Sequence, residues 1–492
     1  MTDPVEIRER YSLDFTKLHG IIHPAEVRLG DRMEARVRTS GDNRFRPMRV
    51  WRTSPIGAEL VIEDDSPPMT KGETLVLELL VAGQRIRFDA SVVELIQEND
   101  HIALAGVRFH QHERGVEDPK ERRGRTRWTC WPDYTPTATC PTPGEIHDHM
   151  WFKIKDISRR GMQLTCSLRN KLLIPGMSLQ LTANFGVDGV FHVPVTIKRV
   201  GFSSEGGRDR LAVGVDFDKF TPRMKSIVGQ YLIQFAEGTS LTKLRAEDLW
   251  PTSISAAVNF TYLTTEEEYE KVKQLRKLAH DADSNLNEDV SLDDMGDRFD
   301  SHARIIIGTR PDGELICTVR VLFNREDEPY EHAELADLPA DLPRKTEVVE
   351  VGRLAIHPDY RHGDLLVTLL EFIMATTLQE RRYVLFSCLE RMIPFFQRVG
   401  LKPLGITYSP KLFNEPGHIL FGDLHKIATG WDVSPLYWNL VYRRISDYLI
   451  DASRIQIRGI DRARIIVYKM FGPIARAIAR YREYRVRRLN RA

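Results

Sequence analysis

Two stretches in the first half of the chain repeat one pattern, and this repeat limits the possible folds more than any other feature. Each copy has a strand-like segment, a Ser-x-x-Gly turn, a second strand-like segment and, later, a closing strand. The first copy spans Met48–Ile62 and closes with Ile102–Phe109; the second spans Trp151–Cys166 and closes with Arg210–Phe217. Apolar and polar residues alternate in segments such as Val195-Thr196-Ile197-Lys198, which is typical of strands with one face in water. The repeat therefore predicts two small β-barrels of about 100 residues each.

Length and composition set wider limits. The chain has 492 residues, which is more than one hydrophobic core usually holds. A formal net charge of +1 argues against a general binder of DNA or RNA. The five cysteines are scattered, so a disulfide framework is not expected and a reducing cytoplasm is. Neither a signal peptide nor an apolar run of about 18 residues is found, so no spanning helix is predicted.

Two short motifs accompany the second copy. They are R-x-x-x-R, formed by Arg123 and Arg127 with Arg122 adjacent, and D-x-S-x-x-G, formed by Asp156, Ser158 and Gly161. An arginine fork can pair with guanine or with phosphate and can stack on a base. A carboxylate can accept hydrogen bonds from guanine, a serine can hold a turn or bind phosphate, and a glycine permits a positive φ at a bend.

Together and in this order the motifs resemble those of the PilZ family, whose members are receptors for cyclic di-GMP. The resemblance covers residues 118–240 and implies that the six motif residues bind this nucleotide. The alternative is a solvated arginine-rich segment followed by an ordinary turn. In the first copy Arg52 replaces the aspartate, and Arg32 and Arg36 lie within a predicted strand. Residues 1–117 are therefore expected to form a degenerate PilZ-like barrel that packs against its neighbour or dimerises.

A stretch rich in proline and threonine separates the two motifs. It is predicted to be an exposed insertion between the first two strands of the second barrel. Its Cys130, Cys140, His147 and His149 do not match a common zinc-ligand spacing, so no metal site is expected. A helix over Met224–Phe235 is predicted to follow the barrel and cover one of its mouths.

The second half of the chain has the element order of another fold. A linker near residues 240–258 precedes a helix over Thr265–His280. Later come a strand, a glycine-containing turn, a helix and a strand, at Val348–Ile356, Arg361–Gly363, Leu365–Gln379 and Tyr383–Leu389. This order resembles the GNAT N-acyltransferases and implies such an α+β domain over residues 259–425. In that family the first strand splays from its neighbour to admit a pantetheine arm, and the turn cradles a pyrophosphate.

The resemblance implies that Arg361 and Gly363 bind the acyl donor. Two departures from the family pattern stand in this region. The turn reads YRHGDLL and keeps a single glycine, and Phe396 stands where many family members carry a tyrosine general acid.

A further set of residues narrows the resemblance. Asp297-x-x-Asp300, Arg320 and Glu350-x-x-Arg353 resemble motifs of the acyl-homoserine-lactone synthases and the long-chain N-acyl amino acid synthases, and Arg276 fits the same pattern. This implies a fatty acyl group donated by acyl carrier protein, or by CoA, to an amine.

The implied roles follow from the chemistry of that transfer. Glu350 would act as general base, the two aspartates would hold the substrate ammonium, and the two arginines would bind its carboxylate or fix Glu350. Backbone N–H near Leu354 would stabilise the oxyanion. The alternative is a set of structural ion pairs.

The chain ends in a basic segment, residues 432–492. From Arg462 onward it has ten Lys and Arg residues and one acid, Glu483. On a helical wheel one face carries Arg462, Lys469, Arg476, Arg480, Arg487 and Arg491, and the other carries Val467, Met470, Phe471, Ile474, Ile478 and Tyr481. This pattern is typical of a helix on an anionic membrane surface. The alternative is a helix that packs on the acyltransferase domain.

These expectations combine into one hypothesis: a multidomain protein of two PilZ-like barrels, a GNAT-like domain and a basic amphipathic helix. It would transfer a fatty acyl group to an amino acid-like amine in response to cyclic di-GMP, at the inner face of the membrane. Two alternatives stay open at this point. One is a receptor without catalytic activity that binds a partner; the other is an acyl-homoserine-lactone synthase that uses S-adenosylmethionine.

Overall fold

The computed structural model describes residues 34–99, 102–110, 126–142, 148–168, 173–283, 286–287, 289–451, 457–475 and 477–478. These residues form two compact units. The first runs to Thr239 and adds Lys243–Thr252; the second comprises Ser240–Thr242 and the chain from Ser253 on. Several residues singled out in the sequence lie outside the described residues, namely Arg32, Arg122, Arg123, His147, Arg476, Arg480, Tyr481, Glu483, Arg487 and Arg491.

The first unit begins with a closed six-stranded antiparallel barrel, in the strand order β1-β2-β3-β6-β5-β4. Its strands are β1 Glu34–Thr39, β2 Arg46–Ser54, β3 Gly57–Ile62, β4 Thr74–Val81, β5 Gln84–Asn99 and β6 Ile102–Phe109. Alternate residues such as Val37, Leu77 and Leu79 are fully buried, so their side chains fill the interior. Arg36 and Arg52 lie in β1 and β2.

A second barrel follows. Its strands are β7 Trp128–Thr129, β8 Thr137–Pro141, β9 His149–Ile157, β10 Gly161–Ser167, β11 Ser178–Asn184, β12 Val190–Glu205 and β13 Arg208–Phe217. The order β10-β13-β12-β11-β8-β9 closes because β9 also pairs with β10, and the short β7 adds to β9. The prediction of two small β-barrels is therefore confirmed.

Helix α1, Pro222–Phe235, follows the second barrel, with Thr221 as its N-cap. Tyr231 of this helix is buried, packs edge-on against Phe185 and donates a hydrogen bond to the carbonyl of Tyr134. The helix is thus anchored on the barrel by an aromatic contact whose polar end is also satisfied.

The proline- and threonine-rich stretch is not a surface insertion, and that expectation was wrong. Residues Thr137–Pro141 form β8, which pairs with both β9 and β11. Ala138 and Cys140 point into the barrel and are buried, while the threonines between them are half-buried. The alternation is that of a strand, and the proline inside the strand bounds occupies its last position, where a missing N–H is tolerated.

The two barrels contact each other within the first unit. The side-chain amide of Gln84 donates to the carbonyl of Ser178 at 2.8 Å, and its oxygen accepts from the N–H of Ser178 at 2.8 Å. Gly176 lies beside Ile86, and a Cβ there would stand 2.8 Å from the Ile86 Cγ2. The first barrel therefore docks through the start of β5.

The second unit is built on a seven-stranded sheet of order β14-β15-β16-β17-β18-β20-β19. Its strands are β14 Asn259–Tyr262, β15 Arg304–Thr309, β16 Leu315–Phe323, β17 Val348–Ile356, β18 Tyr383–Leu389, β19 Lys402–Tyr408 and β20 Gly417–Asp423. All neighbours are antiparallel except β17 and β18, which are parallel. This mixed sheet with helices confirms the predicted α+β fold class.

The helices that follow α1 range from one turn to four. They are α2 Leu241–Ala246, α3 Glu266–Asp281, α4 Leu365–Thr377, α5 Ile393–Arg398, α6 Leu424–Ala428, α7 Arg443–Asp451 and α8 Gly459–Met470. A helical turn, Pro435–Tyr437, and a π-helical turn, Trp438–Tyr442, lead into α7. Helix α2 lies within the segment that was predicted to be a linker.

Two apolar clusters hold the sheet and helices together. On one face Val319, Val349 and Val351 pack with Leu369 and other residues of α4. Around α3, Val272 packs with Ile305 and Ile307. Burying one aliphatic side chain of this kind stabilises the fold by about 1.5–3 kcal/mol.

The start of the predicted tail belongs to this core. Trp438 is fully buried, Ile465 of α8 is 5% exposed, and both are members of the cluster that contains α4. Helix α8 ends at Met470, and the chain turns at Phe471 before Gly472. None of the helices in the described ranges combines the length and apolar character needed to cross a bilayer.

Candidate functional sites

The parallel strands β17 and β18 separate part-way along the sheet. Their paired register runs from Val348 with Tyr383 to Val351 with Phe386. Beyond it β17 continues to Ile356 and β18 to Leu389 without pairing with each other. The wedge between them begins at Gly352 and Ser387, and a Cβ on Gly352 would lie 4.0 Å from the Ser387 Oγ.

Strand β17 carries a bulge beside the wedge. Arg320 of β16 pairs with Gly352 and Thr318 pairs with Ala355, so two residues of β17 face one of β16. Arg353, the first bulged residue, has a φ of +54°. A non-glycine residue in this left-handed region costs about 1–3 kcal/mol, which the surrounding contacts must offset. The bulge takes Arg353 and Leu354 out of the regular ladder and re-aims their backbone N–H groups.

A cluster of arginines and carboxylates lies at this bulge and contains four of the predicted catalytic residues. Arg320 is fully buried on β16 and pairs with Asp297, with Glu331 and, at 3.0 Å, with Asp300. Arg353 Nη2 lies 2.7 Å from the second oxygen of Asp297. Arg320 thus joins three carboxylates and Asp297 joins two arginines, so the cluster acts as one network.

The network extends to helix α3. Arg276, 1% exposed, holds Asp300 with both guanidinium nitrogens, at 2.8 and 3.2 Å, and also donates to the carbonyl of Met295 at 2.8 Å. Tyr269 donates its hydroxyl to Asp300 at 2.8 Å. Asp300 therefore accepts from two arginines and a tyrosine.

Charge and hydrogen bonding keep these carboxylates ionised. Burial by itself would raise the pKa of Asp300, but hydrogen bonds and charge from Arg276 and Arg320 outweigh it and lower the pKa to about 2. Burial opposes ionisation of Asp297 in the same way, and Arg320 and Arg353 again lower its pKa below the usual value. Both aspartates are anions at neutral pH.

Glu350 occupies a different part of the site from the one predicted. It is 1% exposed and accepts from the backbone N–H of Glu331 at 2.9 Å and of His332 at 2.8 Å. Its carboxylate also pairs with Nδ1 of His332, whose own exposure is 1%. The Nε2 of His332 is buried and has no hydrogen-bond partner among the described residues. Glu331 joins the two groups, because its carboxylate pairs with Arg320.

Sequence reasoning missed Glu331 and His332. They lie in the irregular, acid-rich stretch between β16 and β17, where no periodicity or motif marks them. Their place in the site becomes visible only through their contacts with Glu350, which is distant in the sequence.

Two aromatic residues, Phe396 and Tyr408, differ in their position relative to the wedge. Phe396 is 2% exposed with its ring 4.3 Å from that of Phe386, so it is a core residue. Tyr408 of β19 instead hydrogen-bonds with Ser387 at the wedge, and burial raises the pKa of its phenol. Tyr408 therefore keeps its proton at neutral pH.

The turn before α4 does not fit the pyrophosphate of CoA, the donor that the GNAT fold implies. The Arg361 guanidinium is bound to Asp283 at 2.5 Å and to the carbonyl of Ala279. A Cβ on Gly363 would overlap the side chain of Ile254, so the open side of the glycine is already filled. The side chain of Asp364 adds a negative charge at the start of the helix, where a phosphate would have to lie.

In the second barrel the structure brings Arg127, the last residue of the R-x-x-x-R motif, beside the aspartate of D-x-S-x-x-G. Strand β7 pairs Thr129 with Asp156 and Trp128 with Ile157. This register puts Arg127 at the carboxylate, with Nη1 3.4 Å from Asp156 Oδ1. Arg127 is 54% exposed, so its fork is open to a ligand.

The surroundings of Asp156 determine the charge and the hydrogen bonding of its carboxylate. Partial burial raises its pKa, while the nearby charges of Arg127 and Arg199 lower it. Its Oδ1 accepts no hydrogen bond from the part of the chain that the structure describes. A carboxylate oxygen without a donor beside two arginines suits a ligand that has both N–H donors and phosphates.

Ser158 and Gly161 hold the turn between β9 and β10. The Ser158 Oγ donates to the carbonyl of Gly161 at 3.2 Å and accepts from its N–H at 3.3 Å, and the residue is 8% exposed. Gly161 does not adopt the positive φ that was expected. It is needed for close approach, because a Cβ there would overlap the carbonyl oxygen of Val215 on β13.

Comparison with known families defines the class of the second unit. Residues 279–371 match the family model of the acetyltransferase (GNAT) domain. The matched range contains the whole arginine–carboxylate network except Arg276, together with Glu350 and the turn before α4. The chain therefore carries a GNAT acyltransferase domain, as the element order predicted. No curated protein matches the chain.

Several solved structures are similar to parts of this chain. One is FeeM, an N-acyl amino acid synthase from uncultured soil microbes, at 12% identity over 36% of this chain and 94% of that one, with a TM-score of 0.27. Another is the K. pneumonia MrkH–c-di-GMP complex, at 16% identity over 41% and 87%, with a TM-score of 0.18. A third is the PilZ domain with c-di-GMP of YcgR from Escherichia coli, at 18% identity over 21% and 82%, with a TM-score of 0.18.

Proposed function

We propose that this protein is an N-acyltransferase that responds to cyclic di-GMP and moves a fatty acyl group from acyl carrier protein to the amine of an amino acid-like substrate. The observation that supports this best is the partly buried network of Asp297, Asp300, Arg320 and Arg353 at the bulge of β17. It lies beside the wedge between β17 and β18, inside the residues that match the GNAT model.

The transfer requires a neutral amine beside a thioester. The amine nitrogen attacks the carbonyl carbon, the C–N bond forms, and the C–S bond breaks to release a thiolate. Two protons leave the nitrogen, one when the ammonium becomes a neutral amine and one after the C–N bond has formed. One proton is returned to the thiolate sulfur, and the other passes to solvent. The backbone N–H groups at the bulge of Arg353 and Leu354 are the donors we assign to the intermediate oxyanion.

The proton acceptor we assign is the pair of Glu350 and His332. Glu350 is held by two backbone N–H groups and by His332 Nδ1, so it orients the imidazole. His332 Nε2 has no partner among the described residues and is the position that can take a proton. Glu350 thus acts through His332 and not directly, which refines the role first expected of it.

The network supplies the binding charges. Asp297 is 24% exposed at its side chain and Arg353 is 20% exposed, whereas Arg320 is fully buried. The two partly exposed groups are therefore the ones that can contact a substrate ammonium and carboxylate, and the buried ones fix their geometry. Tyr408, hydrogen-bonded to Ser387 at the wedge, is the proton donor we assign to the departing thiolate.

The second barrel would bind cyclic di-GMP through Arg127 and Asp156. The support is their pairing at 3.4 Å, the exposure of the arginine and the unbonded Oδ1 of the aspartate. Arg122 and Arg123 would add to this surface as the resemblance implies. Ser158 and Gly161 contribute by holding the turn.

Helix α8 supports attachment to an anionic membrane surface. Its face opposite the core exposes a row of large apolar side chains: Ile460 at 61%, Ile466 at 64%, Val467 at 51%, Met470 at 73%, and beyond the helix end Phe471 at 41% and Ile474 at 55%. Exposed apolar side chains on one helix, next to basic residues, match an interfacial helix. A long-chain acyl product would be released where such a surface lies.

The test of the proposed function is a lipid analysis of cells that express the chain. We expect new N-acyl amines by mass spectrometry with the wild type and their absence with Asp297→Asn. A surface variant, Arg304→Ala, removes an exposed pair with Glu380 and a contact with the Phe323 ring, and it should leave the product in place. No new lipid with any variant would favour the receptor without catalytic activity, and an acyl lactone product would favour the lactone synthase.

A further inference from the structure

The turn that opens α4 is occupied by the protein's own chain. The carboxylate of Asp364 accepts four hydrogen bonds from three consecutive residues, Ser253, Ile254 and Ser255. The Ser253 hydroxyl donates at 2.6 Å, the Ile254 N–H at 2.8 Å, and the Ser255 N–H and hydroxyl at 3.2 and 2.8 Å. We call Ser253–Ser255 the covering segment.

The apolar part of the covering segment closes the glycine. Ile254 is 3% exposed and its side chain fills the space beside Gly363. Leu241, 2% exposed, approaches the same glycine from a second stretch of chain, with Cδ2 3.6 Å from a Cβ built there. Backbone approach to this turn by any ligand is therefore blocked on the side where glycine leaves room.

The polar groups of the covering segment bind the carboxylate of Asp364, which is an anion that belongs to the protein itself. The start of a helix carries a partial positive charge and unpaired N–H groups, and it binds phosphate when a glycine allows close approach. Here Asp364 brings a negative charge to that position, and the covering segment supplies the donors that satisfy it. The guanidinium of Arg361, also in this turn, is bound to Asp283 and to the carbonyl of Ala279.

We propose that the covering segment and Asp364 determine donor specificity by taking the place of the CoA diphosphate. The domain then accepts pantetheine thioesters that lack the adenosine diphosphate part, which are those carried on a protein. This inference rests on the proposed acyl transfer for its meaning. The exclusion of CoA by Ile254 and Asp364 can be measured by binding alone, without the acyl transfer reaction.

The experiment compares CoA and pantetheine as calorimetric probes of the full-length protein. Ile254→Ala removes the side chain over Gly363, and the double variant Ile254→Ala/Asp364→Asn also removes the negative charge. We expect the double variant to bind CoA tighter than the wild type by about tenfold or more. Pantetheine, which has no diphosphate, should bind both proteins equally. Ile307→Ala, a buried isoleucine on β15 away from the turn, is the matched control and should not gain CoA binding.

The outcomes separate this inference from the proposed function. A gain in CoA affinity supports the covering segment even if no acylated lipid is found. Tight binding of CoA by the wild type would overturn the inference. So would an unchanged CoA affinity in both the single and the double variant, provided that circular dichroism shows both variants to be folded. The single variant Ile254→Ala keeps the test valid if the double variant does not fold, since a smaller gain is expected from the freed space alone.

Discussion

Arg320 organises the candidate active site at the scale of single residues. Its guanidinium contacts Asp297, Asp300 and Glu331, which come from two separate loops. A buried arginine with three carboxylate partners has its desolvation offset by charge-assisted hydrogen bonds, and its planar fork fixes their positions. Lysine would not replace it, because a single ammonium cannot make these bonds in one plane.

The proton-transfer pair gives a first prediction. Glu350→Gln keeps the shape but cannot hold His332 as an anion does, and His332→Ala removes the acceptor nitrogen. We expect both to slow acyl transfer by about 10²–10⁴-fold, the usual contribution of general base catalysis. The measurement is the rate with loaded acyl carrier protein as a function of pH.

The pH profile separates catalysis from structure in that experiment. Loss of the proton acceptor should remove the limb of the profile that reports its ionisation, whereas a merely loosened site would lower the rate at every pH. Wild-type rates in both variants would contradict the assignment. Arg304→Ala serves again as the exposed control.

A second prediction concerns stability against pH. The pKa of Asp300 is lowered from 3.8 to about 2 on folding, so the folded state favours the ionised form. Its stabilising contribution is complete above pH 3.8 and is lost as the pH falls toward 2. Urea unfolding between these values should show the free energy of unfolding declining. Asp300→Asn should weaken this dependence and should cost about 3–5 kcal/mol at neutral pH, because Arg276 is left without its anion.

The control for the acid titration is Asp337→Asn, at an exposed aspartate in the stretch between β16 and β17. It should unfold like the wild type at each pH. A pH dependence of Asp300→Asn identical to that of the wild type would show that other groups cause the decline.

At the scale of elements, the junction of β10 and β13 gives the third prediction. Gly161→Ala would force a methyl group into the carbonyl of Val215, and overpacking of this kind costs about 1–3 kcal/mol. Gly201 in β12 has no atom within 4 Å of a Cβ position, so Gly201→Ala is the matched control and should cost nothing. Thermal melting of the two variants decides the matter; equal melting temperatures would mean that the strands can separate without cost.

Elements differ in how well the sequence predicts them, for physical reasons. The strands Val348–Ile356 and Tyr383–Leu389 have the bounds that were predicted. The resemblance to the GNAT pattern supplied these bounds, because Glu350 and Arg353 interrupt the apolar residues of the first strand. Strand β8 was missed because its alternation covers only five residues and has Pro136 before it and Pro141 at its end, and prolines usually indicate a loop. The motifs for Arg127 and Asp156 are local in sequence, so they could be found, whereas the pair of Glu350 and His332 depends on how a long irregular stretch folds back.

Helix α8 gives the fourth prediction. Val467, Met470 and Ile474 are exposed, so changing all three to serine should not disturb the core but should weaken binding to anionic vesicles by about tenfold or more. Added salt should weaken wild-type binding too, since charges more than about 10 Å apart are screened at 0.1 M. Val187→Ser, at an even more exposed apolar residue of the second barrel, is the control and should bind as the wild type does. Unchanged sedimentation of the triple variant with vesicles would exclude this face.

At the scale of the whole molecule, the barrel proposed to bind cyclic di-GMP and the domain proposed to transfer acyl groups lie on one chain, and we expect the nucleotide to regulate the transfer. A nucleotide changes activity only if it binds the active and the inactive arrangement with different affinity. A coupling free energy of about 1–3 kcal/mol would change the rate of acyl transfer about 5- to 150-fold.

The fifth prediction tests this coupling. Arg127→Ala should lose cyclic di-GMP binding worth about 1.5–3 kcal/mol, keep its basal rate and ignore the nucleotide. Lys153→Ala on the same barrel breaks only exposed contacts with Glu205 and should respond like the wild type. Rates with and without nucleotide, together with calorimetry, measure both effects. A wild type that binds the nucleotide without any change in rate would leave the two halves as separate functions.

The shared carboxylates of the network also limit how such a sequence can change over generations. Asp300 pairs with Arg276 and Arg320, and Asp297 pairs with Arg320 and Arg353. Loss of Asp300 therefore leaves the buried Arg276 without its anion in this network, and loss of Asp297 does the same to Arg353. Stepwise drift through one member at a time passes through weakened proteins. We therefore expect descendants of this chain either to keep the arginines and aspartates as a set or to exchange the set as a whole for apolar residues, and in the second case to have lost acyl transfer.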